Sequence, residues 1–108
     1  WQKIADQALK QCGRLSRLEI LPPLAMPDLF AISLAANTRR WVGVPGASTS
    51  LAELANFKGA SHLLVGPEGG WEQAELQLIR EASAVNLGPL TLRAETAAIV
   101  MMTAARLF

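Results

Sequence analysis

Apolar residues recur along this chain in two patterns, one typical of helices and one of buried strands. From Trp1 to Cys12 they recur at three- and four-residue spacing, which predicts an amphipathic helix over residues 1–13 that ends at Gly13. Short apolar runs bounded by turn residues predict strands at Leu18–Leu21, Trp41–Val44, His62–Val65 and Val85–Leu87. The run at His62–Val65 is of the kind buried on both faces of a parallel sheet.

Helical patterns alternate with these strands. Further helices are predicted near Pro27 (carrying Leu29, Phe30 and Leu34), from a Ser50–Glu53 capping box through Asn56, at about 72–84, and from Glu95 to Leu107. Strands and helices that alternate with short loops favour an α/β fold of three layers, with an open and mainly parallel sheet.

Two glycine-rich bends carry the strongest functional signal. Residues 63–70 run from a strand into Gly66-Pro67-Glu68-Gly69-Gly70, and residues 87–97 begin with Leu87-Gly88-Pro89. Glycine lets the backbone approach a ligand closely. Loops at the carboxyl ends of neighbouring parallel strands form a binding crevice, so we expect Pro67 and Gly88 to share one cavity.

The composition narrows the class of protein. A chain of 108 residues with net charge +1 is one domain without the basic footprint of a dedicated nucleic-acid binder. Its 51% hydrophobic and 18% charged residues suggest apolar surface covered by a partner subunit or a further domain. One cysteine and one histidine allow no internal disulfide and make a zinc site improbable. No apolar run reaches the ~20 residues of a membrane span, so we expect a cytosolic domain.

The last predicted helix has almost no polar face. Residues 97–105 are nearly all Ala, Ile, Val or Met, and a helix that is apolar all round is buried on all sides. We expect the sheet to cover one side and a second subunit to cover the other; the alternative is a core helix within a larger intact protein.

The side chains near the two bends limit the chemical class of ligand that the crevice can bind. The first bend lacks the Lys-Ser/Thr of a phosphate loop, and Glu68 would repel a phosphate. Arg93 precedes a buried helix, where a guanidinium needs a planar partner such as a carboxylate or a nucleobase edge. Glu95 either complements the helix dipole or takes part in function.

These motifs resemble the ribosomal RNA small-subunit methyltransferase E family of the SPOUT class. The resemblance rests on Gly66–Gly70 with Glu75, on Leu87-Gly88, and on Leu92-Arg93 with Glu95-Thr96-Ala97. It implies a C-terminal trefoil knot and S-adenosylmethionine-dependent methylation of uridine N3 in 16S ribosomal RNA by a cytoplasmic homodimer. It also implies that residues 1–108 form the C-terminal methyltransferase domain, incomplete at its N-terminal side, with the RNA-binding barrel absent.

The resemblance, together with the residues, assigns the site. Arg93 and Glu95 are the predicted catalytic residues, Arg93 by stabilising the uracil anion or orienting the base; no metal is expected. The predicted donor-binding residues are Leu64, Gly66, Pro67, Glu68, Gly69, Leu87, Gly88, Leu90, Leu92 and Thr96.

Several positions depart from the family pattern. Ala94 stands where the family usually has Thr, Glu72 where it often has Ser, and Trp71 replaces a smaller or phenyl side chain. The stretch Leu34–Arg40, where the family has a strand end near the donor, also differs. Two other functions stay open: a non-catalytic dimerisation and S-adenosylmethionine-binding module, and a nucleotide-phosphate binder.

Overall fold

The protein is an α/β domain built on four parallel strands. The computed structural model describes residues 1–12 and 17–107. The helices are α1 (Gln2–Cys12), α2 (Met26–Ala31), α3 (Leu51–Asn56), α4 (Gln73–Ile79) and α5 (Ala94–Leu107). The strands are β1 (Thr38–Gly43), β2 (Thr49–Ser50), β3 (Ala60–Leu64) and β4 (Ser83–Asn86). They lie in the order β2-β4-β1-β3, which confirms the predicted parallel sheet.

Strand β1 is central and pairs with a neighbour on each side. Trp41 lies opposite Leu63 of β3 and Ser83 of β4, in parallel register with both. In parallel strands the carboxyl ends lie at one edge of the sheet. The ends of β3, β1 and β4 therefore lie side by side.

Successive side chains of β1 point to opposite faces, and each face is covered by two helices. Trp41 and Val85 pack with α3 and α5, through Leu54, Met101 and Ala104. On the other face the side chains that pack together come from the sheet and from α2 and α4: Val42, Leu64, Ile79, Leu29 and Phe30. The result is the predicted three-layer arrangement.

Helix α5 buries one stripe and leaves another outside. Ala97, Met101 and Ala104 face the sheet at four- and three-residue spacing. On the remaining surface Ile99 is 61% and Met102 53% exposed in the single chain. Glu95, Thr96, Thr103 and Arg106 are also exposed. The side away from the sheet therefore mixes these polar residues with two uncovered apolar ones, so the expectation of a helix buried on all sides is wrong for the single chain.

The prediction of a strand at Leu18–Leu21 was wrong. The segment lies along α1, where the amide of Gln2 donates to the Leu18 carbonyl at 2.7 Å and accepts from the Ile20 N–H at 2.8 Å. These bonds occupy backbone groups that a sheet would use. A neighbouring ion pair, Arg17 with Asp6 at 2.8 Å, lowers the pKa of Asp6 to about 2 and ties the same segment to α1.

Other boundaries differ from the predicted ones. Helix α4 ends at Ile79 rather than near residue 84, since residues 83 and 84 pair with β1. Helix α2 ends at Ala31, short of Leu34, and the Ser50 side chain makes no capping hydrogen bond to α3. The predicted stop at Gly13 lies outside the described residues. Over the described residues, no helix is long and apolar enough to cross a membrane.

Candidate functional site

A cavity of about 370 Å³ opens at the carboxyl edge of the sheet. Its walls come from the segments that follow β1, β3 and β4 and from the first turn of α5. The residues that line it are Gly43, Val44, Pro45, Val65, Gly66, Pro67, Glu68, Gly70, Trp71, Leu87, Gly88, Leu90, Thr91, Leu92, Arg93, Ala94 and Ala97. Pro67 and Gly88 share this cavity, as the sequence predicted.

The first bend has its backbone held in place by a turn and by an indole ring. The Gly70 N–H donates to the Pro67 carbonyl at 3.0 Å, which closes the turn. The indole of Trp71 lies so close to Gly66 that a Cβ there would be 2.7 Å from its Cε2 atom. Trp71 also packs against the cluster of Val42, Leu64 and Ile79. The ring therefore connects the bend to the core, and Gly66 has no room for a side chain.

The second bend depends on a backbone conformation that glycine adopts readily. Gly88 has φ of +125°, and its N–H donates to the side-chain oxygen of Asn86 at 3.0 Å. The adjacent Leu87 packs against the core on the α3–α5 side of the sheet. The bend is thus held by a hydrogen bond to the last residue of β4 and by the packing of Leu87. Leu90, which lines the cavity, is 76% exposed.

Glu75 holds the start of α4 behind the first bend. Its Oε2 accepts the Glu72 N–H at 2.8 Å, which satisfies a backbone donor that the helix itself leaves free. Glu75 does not line the cavity. Its contribution is therefore to the helix start that directly follows the glycine bend, and not to the cavity wall.

Two ionisable side chains, Glu68 and Arg93, line the cavity, one from each bend. Both are exposed, and within the described part of the chain neither forms a salt bridge. The Arg93 carbonyl accepts the Ala97 N–H at 2.8 Å, so the residue directly precedes the first turn of α5. Opposite charges thus lie on facing loops with their hydrogen-bonding groups available to a ligand.

Most of the predicted site residues lie at the cavity, but four do not. Leu64 is buried in the cluster with Val42 and Ile79. Gly69 has open space around its Cα and is exposed. Glu95 and Thr96 are exposed on the first turn of α5 and are not among the lining residues. Their predicted roles stay predictions.

The stretch Leu34–Arg40, which departs from the family pattern of a strand end near the donor, does not line the cavity. These residues precede β1 or form its start, at the opposite edge of the sheet. That wall of the cavity is instead made by Gly43, the last residue of β1, and by Val44 and Pro45, which follow the strand. The available signal for this wall in the sequence was the Pro45-Gly46 pair, a turn signal directly after the run Trp41–Val44.

The chemistry of the walls suits a nucleoside better than a free phosphate. Aliphatic side chains and bare backbone dominate, and Arg93 is the one cation among the lining residues. No group of three or more His, Cys, Asp or Glu side chains that could hold a metal ion occurs in residues 1–12 and 17–107.

Residues 1–106 match the family model described as an RNA methyltransferase domain. The chain belongs to this RNA methyltransferase family. Among curated proteins it is 33% identical, over 95% of its length, to the ribosomal RNA small subunit methyltransferase E of Aquifex aeolicus, and it spans 44% of that protein.

Two solved structures share the fold. A ribosomal RNA small subunit methyltransferase E from Neisseria gonorrhoeae, bound to S-adenosylmethionine, is 30% identical with a TM-score of 0.81, over 95% of this chain and 45% of that one. A Legionella pneumophila protein in complex with the same cofactor is 26% identical with a TM-score of 0.85, over 99% and 44%. The chain spans less than half the length of each of these relatives.

Proposed function

We propose that this chain is the methyl-transferring domain of an S-adenosylmethionine-dependent enzyme that methylates N3 of a uridine in 16S ribosomal RNA. The observation that carries the proposal is the cavity between the Gly66–Gly70 bend and the Leu87–Leu92 bend, in a chain of the RNA methyltransferase family. The names of the relatives above support a small-subunit ribosomal RNA as the substrate class, and the N3 position of a uridine in 16S RNA comes from the family resemblance.

The cavity fits the donor in size and in chemistry. A volume of about 370 Å³ lies within the range of small-molecule sites. Val65, Leu87 and Leu92 provide apolar walls, and Gly66 and Gly88 provide backbone that approaches a purine edge closely. When bound, S-adenosylmethionine supplies a methyl group on a positively charged sulfur.

The residues of the chain act mainly by positioning. The Pro67–Gly70 turn and the Asn86–Gly88 bond hold the two bends before any ligand arrives, which lowers the entropic cost of an aligned complex. The Arg93 guanidinium, at the end of the second bend, stabilises the negative charge that develops on uracil when N3 loses its proton.

The same proposal includes a homodimer formed through the outer side of α5. Ile99 and Met102 on this side are more than half exposed in the single chain, which favours an apolar partner surface. The trefoil knot, the cytoplasmic location and an RNA-binding barrel contributed from outside residues 1–108 belong to the proposal through the family resemblance.

Calorimetry on the product of the complete open reading frame tests the site. S-Adenosylmethionine and S-adenosylhomocysteine should bind and ATP should not; tight ATP binding would identify a nucleotide-phosphate site instead. Methyl transfer to undermethylated 30S subunits, followed by nucleoside mass spectrometry, tests the reaction. Donor binding without methyl transfer would identify a non-catalytic module, and methylation at another atom would overturn the assignment to N3.

A further inference from the structure

Methylation of an N–H nitrogen releases a proton, so a site for this reaction needs an acceptor for it. This inference rests on the proposed function, which accounts for positioning and for charge stabilisation by Arg93 but names no base. A side chain that lines the cavity and can take a proton is the natural candidate for this acceptor.

Among these side chains Glu68 is the one carboxylate. Arg93 stays protonated in proteins, and the Thr91 hydroxyl and the Trp71 indole are not bases at neutral pH. Carboxylates just outside the cavity are placed differently: Glu75 accepts the Glu72 N–H, and Glu95 is exposed on α5. The histidine of the chain, His62, lies within β3 and accepts a hydrogen bond from Arg40.

We propose that Glu68 is the general base that removes the proton from the acceptor nitrogen of the RNA. The Gly70–Pro67 hydrogen bond fixes the backbone on both sides of Glu68, so the side chain projects from a defined point of the cavity wall. Within the described residues no salt bridge engages its oxygens. Its exposure lets the proton pass on to water at the mouth of the cavity.

The step balances in atoms and charge. Glu68 takes the N–H proton, and the electron pair left on nitrogen forms the new bond to the methyl carbon. The pair of the broken carbon–sulfur bond stays on sulfur, which loses its positive charge. Arg93, on the facing loop, stabilises the nitrogen anion before the bond forms.

The test uses Glu68→Gln, which keeps the shape of the side chain but cannot accept a proton, in the product of the complete open reading frame. The matched control is Glu81→Gln, an exposed glutamate between α4 and β4 that lies outside the cavity. Three quantities are measured: the affinity for S-adenosylmethionine by calorimetry, the affinity for 30S subunits, and the single-turnover methylation rate across pH.

We expect Glu68→Gln to lower the rate by about 10²- to 10⁴-fold while both affinities stay within about threefold of the parent and the control. The residual rate of the variant should rise about tenfold per pH unit, because hydroxide then removes the proton. Glu68→Asp should recover part of the rate.

Three results would overturn the inference. An unchanged rate would exclude Glu68 as the base. A loss of donor affinity with an unchanged rate at saturating donor would make Glu68 a donor-binding residue. A rate lost in Glu95→Gln but kept in Glu68→Gln would assign the base to Glu95. If the parent protein itself fails to methylate 30S subunits, the proposed function fails first, and this inference fails with it.

Discussion

Charged side chains at the two edges of the parallel sheet differ in their burial and in their hydrogen bonding. At the amino edge Arg40 is 8% exposed; its Nε donates to His62 Nδ1 at 3.2 Å, and its Nη2 donates to the Leu29 and Ile32 carbonyls at 3.2 and 3.3 Å. Its guanidinium also lies 4.6 Å from the ring centre of Phe30. At the carboxyl edge Glu68 and Arg93 are exposed and form no ion pair within the described residues.

This difference separates groups that stabilise the fold from groups available to a ligand. A buried cation costs much free energy unless it finds hydrogen-bond acceptors, and Arg40 finds them in His62 and in the carbonyls of Leu29 and Ile32 at the end of α2. An exposed charge that lines a cavity stabilises the fold little. Such a charge contributes to the free energy of ligand binding instead. The following four predictions test this contrast.

The largest effect should come from Arg93→Ala. We expect methyl transfer to 30S subunits to fall by about 10²- to 10³-fold, because a donor to the developing anion is lost, while donor affinity by calorimetry stays within about threefold. Arg80→Ala, at an exposed arginine just after α4 that lies outside the cavity, is the matched control. Full activity of Arg93→Ala would remove the residue from the mechanism.

Gly66→Ala should weaken donor binding. The added Cβ would lie 2.7 Å from Trp71 Cε2, and overpacking of this kind costs about 1–3 kcal/mol, equivalent to about 5- to 150-fold in affinity if it displaces the bend. Gly69→Ala is the control, since a Cβ there meets no atom within 4 Å. Calorimetry and a thermal unfolding midpoint separate a lost site from a lost fold; equal affinities in the two variants would contradict the prediction.

Arg40→Met should lower stability without acting at the cavity. It leaves the Leu29 and Ile32 carbonyls without their donor, so the free energy of unfolding in urea should fall by about 1–3 kcal/mol. Arg39→Met removes an exposed arginine that donates to Ser83 Oγ at 2.7 Å, and it should cost less than about 1 kcal/mol. Equal losses of unfolding free energy in the two variants would show that the burial of Arg40 adds nothing to its contribution to stability.

The smallest effect concerns the pH dependence of stability. Burial, and then the Arg40 cation, lower the pKa of His62 from its usual 6.5, so the unfolded chain takes the proton first. The contribution of neutral His62 is complete above pH 6.5 and is lost as the pH falls below that value. His62→Gln should flatten urea-derived stability between pH 7 and pH 5, by less than about 1.4 kcal/mol per pH unit. An identical slope in the variant would contradict this assignment.

Much of the fold could be predicted from local patterns. The apolar runs at Trp41–Val44 and His62–Val65 match β1 and β3 to within three residues at each end, because a strand buried on both faces has a distinctive composition. The run at Leu18–Leu21 is also apolar, apart from Glu19. It failed because the bonds to Gln2 come from a helix sixteen or more residues away, which no local window contains.

The candidate site, like the fold, could be predicted from local sequence only in part. The sequence alone determined the two glycine bends and the charged residue on each, since glycine permits backbone conformations that other residues avoid and proline restricts the backbone wherever it stands. The tertiary structure decided that β1 lies between β3 and β4, and hence that Gly43, Val44 and Pro45 form the third wall. It also decided that Leu64 faces the core, because strand side chains alternate between faces that long-range pairing chooses.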